Sequence, residues 1–125
     1  MTNLTLLFRQ VHPSWIREGR ITSQAFKPTA KDHDRPSVYN GDMISAEKSW
    51  EHWTTHLNNA SVGVIAVTVG ECQSQNLYVE CDGIPYPEHT EIIFNGLSNS
   101  QREKKAKFLV EFARDRGWQY RDDAE

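Results

Sequence analysis

Apolar positions are dense and regular beyond residue 60 and sparse in most of the chain before it. Residues 61–67 hold Val62, Val64, Ile65 and Val67 in a nearly unbroken apolar run. Such a run fits a strand buried on both faces. Residues 4–11 form a second compact run and predict a first strand, with Arg9 emerging near its end. Between residues 46 and 57 the period changes. Ala46, Trp50, Trp53 and Leu57 recur at helical spacing behind Ser45, a good N-cap residue. A longer helix is predicted from residue 99 to 116. Ala106, Leu109, Val110 and Ala113 share its apolar face, and Phe108 and Phe112 widen it. Ser98 and Gln101 have the spacing of a capping box, and Gly117 is placed to follow the last turn in a left-handed conformation. Thr68 and Glu71 repeat the capping-box spacing and predict a short helix to about residue 76. Strands are expected at 77–81 and 89–95, separated by a loop rich in Gly and Pro.

Residues 9–42 break this order. The segment is polar and shows almost no periodicity. Pro13 permits one helical turn over 13–16, and 21–26 reads as a short strand with Ile21, Ser23 and Ala25 on one face. Residues 28–36 read as loop, and 37–39 as a brief extended piece closed by Asn40-Gly41-Asp42. A compact domain seldom keeps so long a stretch without structure unless it binds something or moves. Any site is therefore expected to use it. The whole pattern predicts a single α+β domain over residues 1–125, with a small mixed β-sheet and two main helices packed on it.

Charge sharpens the contrast between the two parts. The formal net charge is −3, which argues against nucleic acid as a partner. Arg9, Arg17, Arg20, Lys27, Lys31 and Arg35 nevertheless outnumber the acids near the N-terminus. The acids gather at Glu80, Asp82, Glu88, Glu91 and in the tail at Asp122, Asp123 and Glu125. A local anion site in the first third is compatible with the acidic total. Cys72 and Cys81 read as reduced thiols, because secreted domains of this size usually carry more cysteines. No secretory pattern opens the chain and no apolar run approaches a membrane span. A cytoplasmic protein with no membrane partner is expected.

Arg9 and His12 lead the candidate residues, with Trp15, Arg20, Ser23 and Gln24 near them. Arginine can clamp a phosphate or carboxylate in bidentate fashion, and histidine moves protons near neutral pH. The structural alternative pairs Arg9 with an acid such as Glu91 and has His12 cap the turn before Pro13. His89 can complete an acid/base pair with His12 only if their strands are neighbours. Ser23 lacks the glycine elbow of a serine hydrolase. His52 and His56 have metal-chelating spacing without the glutamate of the His-Glu-x-x-His motif, and read as a solvated helix flank. Glu71 and Cys72 are accounted for by capping and core packing. Glycine-rich phosphate loops are absent, so neither cofactor nor metal is expected.

The stretches Arg9-Gln10-Val11-His12-Pro13, Gly19 to Pro28, Ser37-Val38, Gly63-Val64-Ile65-Ala66-Val67 and Glu88-His89-Thr90-Glu91-Ile92 resemble short bacterial proteins of uncharacterised function. The resemblance implies a bacterial cytoplasmic origin and carries no activity. Two functions fit the sequence, and the first is favoured because no nucleophile-plus-base motif stands out among its residues. The first is a protein-binding module that docks a partner through the segment containing Trp15 and the arginines, residue types enriched at interface hot spots. The second is a small enzyme, a transferase or hydrolase, acting on an anionic and nucleotide-like substrate held by Arg9 and Arg20. Convergence of these groups on one concave pocket is what separates the second from the first.

Overall fold

A computed structural model describes residues 1–122, so Asp123 and Glu125 of the acidic tail lie outside the described residues. In chain order the strands are β1 (Leu6–Gln10), β2 (Ile16–Arg17), β3 (Arg20–Ile21), β4 (Ser37–Asn40), β5 (Gly63–Thr68), β6 (Tyr78–Glu80), β7 (His89–Ile93) and β8 (Tyr120–Arg121). The helices are α1 (Ala46–Glu51), α2 (Val69–Ser74) and α3 (Asn99–Arg116). All three carry the side-chain caps that the sequence predicts, from Ser45, Thr68 and Ser98. Gly117 ends α3 at φ +88°, a backbone angle that favours glycine, although its ψ is extended.

Six strands form one sheet in the order β6-β7-β4-β1-β5-β8, while β2 and β3 make a separate hairpin. The α+β class is as expected. A mixed sheet was expected, but every pairing among the described residues is antiparallel. The reason lies in the crossovers. Helix α1 joins β4 to β5, which run the same way but flank β1. Likewise α2 carries the chain from β5 to β6, and α3 from β7 to β8, strands at opposite sides of the sheet. Each helix joins strands of like direction, and each time a strand of opposite direction lies beside them.

Strand alternation divides the core between two faces. Leu7, Val38, Ile65, Val67 and Ile92 pack on one face against Ala106, Leu109, Val110 and Ala113 of α3. Phe112 joins that face half-buried, whereas Phe108 is turned outward at 38% exposure. Phe8, Tyr39, Val64 and Ala66 form the other face, covered by Trp50, Trp53 and Tyr86. Helix α1 continues through a π-helical turn over His52–His56, closed by the bond from Leu57 N–H to His52 O. The wider turn carries His52 inward over Tyr39, whose hydroxyl lies 2.8 Å from His52 Nδ1. His52 is therefore not the solvated flank that a regular helix predicts.

The polar segment docks on the α3 side. Its expected strand over 21–26 is a two-residue strand followed by a 3-10 turn at Ser23–Ala25. Ala25 and Phe26 are fully buried there. Ion pairs hold the rest: Asp34 to Arg102 at 2.7 Å and Lys27 to Glu103 at 3.5 Å. Arg114 adds a bond to Ile21 O at 3.1 Å. Residues 37–40, which read as a brief extended piece, are a strand near the middle of the sheet.

Candidate functional site

Arg9, next to last in β1, lies on the α3 face and is 8% exposed. Its Nε donates to Ala25 O at 2.7 Å and its Nη1 to Ser37 O at 2.8 Å. The guanidinium carbon lies 5.0 Å from the centre of the Trp15 ring, within cation–π range. Burial lowers its pKa to about 10, against the opposing pull of Asp32 and Tyr86, so it stays charged at neutral pH. Glu91, the acid expected to pair with Arg9, lies on β7 beyond β4 and meets Arg35 instead at 3.6 Å. Arg9 is thus a buried cation held by carbonyl oxygens and an indole face.

Arg9, Trp15 and Ser37 also wall a cavity of about 660 Å³ at the end of β1. Three cations, Arg9, Lys27 and Lys31, line it with one carboxylate, Asp32. Gln10, Gln24, Asn58 and Asn59 add amides, and Trp15 and Trp53 add aromatic faces. His12 also lines it. Its Nδ1 accepts the Ser14 N–H at 3.0 Å, which is the expected capping role and leaves the proton of the neutral ring on Nε2. Trp15 is half-buried against the core.

The other expected residues fall elsewhere. Ser23 lines a neighbouring hollow of about 300 Å³ with Trp15 and Gln24. Arg20 is exposed and borders a third hollow of about 260 Å³, with Trp118 and Arg114. It is not part of the Arg9 cavity. His12 and His89 do not sit on neighbouring strands, since β4 separates β1 from β7.

His89 has other partners. Its Nε2 lies 3.0 Å from Ser37 Oγ, and its Nδ1 lies 2.6 Å from Asp82 Oδ1. The ring is buried at 7% exposure, with Tyr86 standing edge-on at 5.3 Å. Tyr86 in turn stacks on Tyr39 at 5.2 Å. Burial raises the Tyr39 phenol above its ordinary range, with Tyr86 adding to the effect, so this aromatic wall is uncharged at neutral pH. Burial alone would raise the Asp82 carboxyl as well. The hydrogen bond from His89 and the Ile84 N–H outweigh it and hold Asp82 below the usual carboxylate range. Ser37, bonded to His89 Nε2, also lines the Arg9 cavity.

No family model matches the chain, and neither a curated protein nor a solved structure matches it. Its chemistry must be argued from the geometry.

Two further observations bound that chemistry. Among the described residues, no three His, Cys, Asp or Glu side chains are grouped as a metal site. Cys72 is buried, and burial with Glu71 nearby pushes its thiol up to about 12, which suits a core residue. Sequence reasoning missed Ser37, Asp82 and Tyr86. Ser37 and His89 meet through the β4–β7 pairing, which places Tyr39 opposite His89 and Ser37 opposite Glu91. That register has no signature in residue spacing.

Proposed function

We propose that this protein binds a small anionic molecule with a planar part, as a nucleotide has, in the cavity at the end of β1. The reading favours a small enzyme over a docking module. One observation carries it: a single concave cavity gathers Arg9, Lys27 and Lys31 against one carboxylate, beside two indole faces. Cations in a partly enclosed, low-dielectric wall attract an anion more strongly than exposed ones. The indoles offer stacking surface to a ring. Trp15, half-buried beneath Arg9, has less to give a protein interface than a free indole. The two free thiols suit a reducing compartment such as the bacterial cytoplasm. Among the described residues no helix is long and apolar enough to cross a membrane.

Calorimetric titration with pyrophosphate and with adenosine monophosphate tests the proposal. Binding should weaken with added salt, and Arg9→Lys should weaken it tenfold or more, equal to about 1.4 kcal/mol. The loss of the planar fork is the cause. Absence of binding by both ligands would refute the reading. A stoichiometric protein partner that is lost in Trp15→Ala, without anion binding, would favour the docking module.

A further inference from the structure

We propose that Ser37, His89 and Asp82 form a nucleophilic relay, and that the anion cavity hydrolyses an ester carrying an anionic group. The inference rests on the anion-binding reading of the same cavity and adds the reaction. The chain of contacts runs from Asp82 Oδ1 to His89 Nδ1 at 2.6 Å and from His89 Nε2 to Ser37 Oγ at 3.0 Å. A carboxylate accepting Nδ1–H leaves the Nε2 lone pair free to accept the serine proton. Such an arrangement is recognised by geometry and role, whatever fold carries it. Ser37 is half-buried and lines the cavity, while the ring behind it is held by Tyr86. Arg9 donates to the backbone carbonyl of Ser37 at 2.8 Å and lines the same cavity as Ser37. A guanidinium has five N–H donors, so Arg9 retains donors beyond its two carbonyl bonds.

Ser37 Oγ attacks the ester carbonyl carbon and its proton passes to His89 Nε2. The carbonyl oxygen takes the negative charge in a cavity lined by Arg9, Lys27 and Lys31. As the tetrahedral species collapses, the C–O bond to the alcohol breaks and His89 returns the proton to that oxygen. Water then attacks the acyl-serine, giving its proton to His89. The carboxylic acid leaves as Ser37 Oγ regains the proton. No oxidant, reductant or metal enters the balance. Ser37 and His89 are the catalytic residues, and Asp82 is a positioning residue.

The test uses a fluorophosphonate probe, p-nitrophenyl acetate and its anionic counterpart p-nitrophenyl hemisuccinate. The probe should label Ser37. Ser37→Ala and His89→Ala should each lower turnover about a hundredfold or more. Asp82→Asn should lower kcat with KM kept, which a merely structural role would not produce. Ser37→Cys should take iodoacetamide faster than exposed Cys81, and lose that advantage when His89→Ala is added. This last measurement needs no substrate, and circular dichroism melts report the fold of each variant. Hemisuccinate should be preferred to acetate, with the preference reduced in Lys31→Ala. Pyrophosphate binding without Ser37-dependent labelling or turnover in folded protein would overturn the inference and leave the anion site. Ser37-dependent turnover with no preference for hemisuccinate and no pyrophosphate binding would overturn the anionic class of substrate.

Discussion

Arg9 has two duties that pull its substitutions apart. Its bonds to Ala25 O and Ser37 O tie the polar segment to the sheet, and its charge lines the cavity. Arg9→Ala leaves two carbonyl oxygens without their donor, so it should cost about 1–3 kcal/mol for each acceptor that water cannot reach. Arg9→Lys keeps the charge but cannot span both carbonyls, and should melt between wild type and Arg9→Ala. Thermal melts in the absence of ligand check this ranking. Equal melting temperatures for all three would show that the carbonyl bonds contribute nothing to stability. The strand-end position of Arg9 was legible in the sequence, because an apolar run stops there. Its partners were not, because the choice between Glu91 and a pair of carbonyls depends on which strand lies beside β1. The same gap hid Ser37. Nothing at residues 37, 82 and 89 marks them as neighbours until β4 and β7 pair.

Among the elements, those with strong local signals formed as read. Helix α2 is the clearest case, since Thr68 and Glu71 bond reciprocally at 3.0 and 2.8 Å. Glu71 also receives both guanidinium arms of Arg116 at 2.9 Å, which joins the start of α2 to the end of α3. Burial would raise the Glu71 carboxyl, but Arg116 and the Thr68 N–H outweigh it and hold it below its ordinary value. The folded state therefore binds the Glu71 proton less readily than the unfolded chain does. Its stabilising contribution is complete above the ordinary value of 4.5 and disappears as pH falls through the lower folded value. Melting temperature should drop in acid below that point. Glu71→Gln should flatten the drop while costing about 1–3 kcal/mol near neutrality. An acid profile identical in both proteins would remove Glu71 as a source of the pH dependence. Local signals failed where a helix departs from regular geometry. The π turn at His52–His56 follows from packing of Trp50, Trp53 and His52 over Tyr39, which periodicity alone does not encode.

At the scale of the molecule, the long polar segment is polar for two reasons. It lines the cavity, and it lies along the charged flank of α3 through Arg102 and Glu103. Its apolar residues, among them Val11, Ile21, Ala25, Phe26 and Val38, complete the core beneath. The segment therefore has structure without periodicity, which composition reads as loop. The position of β1 has a further consequence, for the order in which the molecule assembles. The first strand in chain order lies at the centre of the sheet. Phe8 has no ladder partner until Tyr39 and Ala66 arrive, and the far edge of the sheet closes only with β8. Nascent chain up to α1 offers β1 one neighbour, so β5 must also emerge from the ribosome before the central strand is paired on both sides. Loop closure of this kind slows folding, and a refolding time of roughly milliseconds to seconds is expected from such non-local pairing. Stopped-flow refolding of the full chain would show it, and a microsecond phase carrying the whole amplitude would contradict it. Until β5 emerges, an apolar strand stands with one open edge, and that interval is when this chain is most exposed to pairing with another copy of itself.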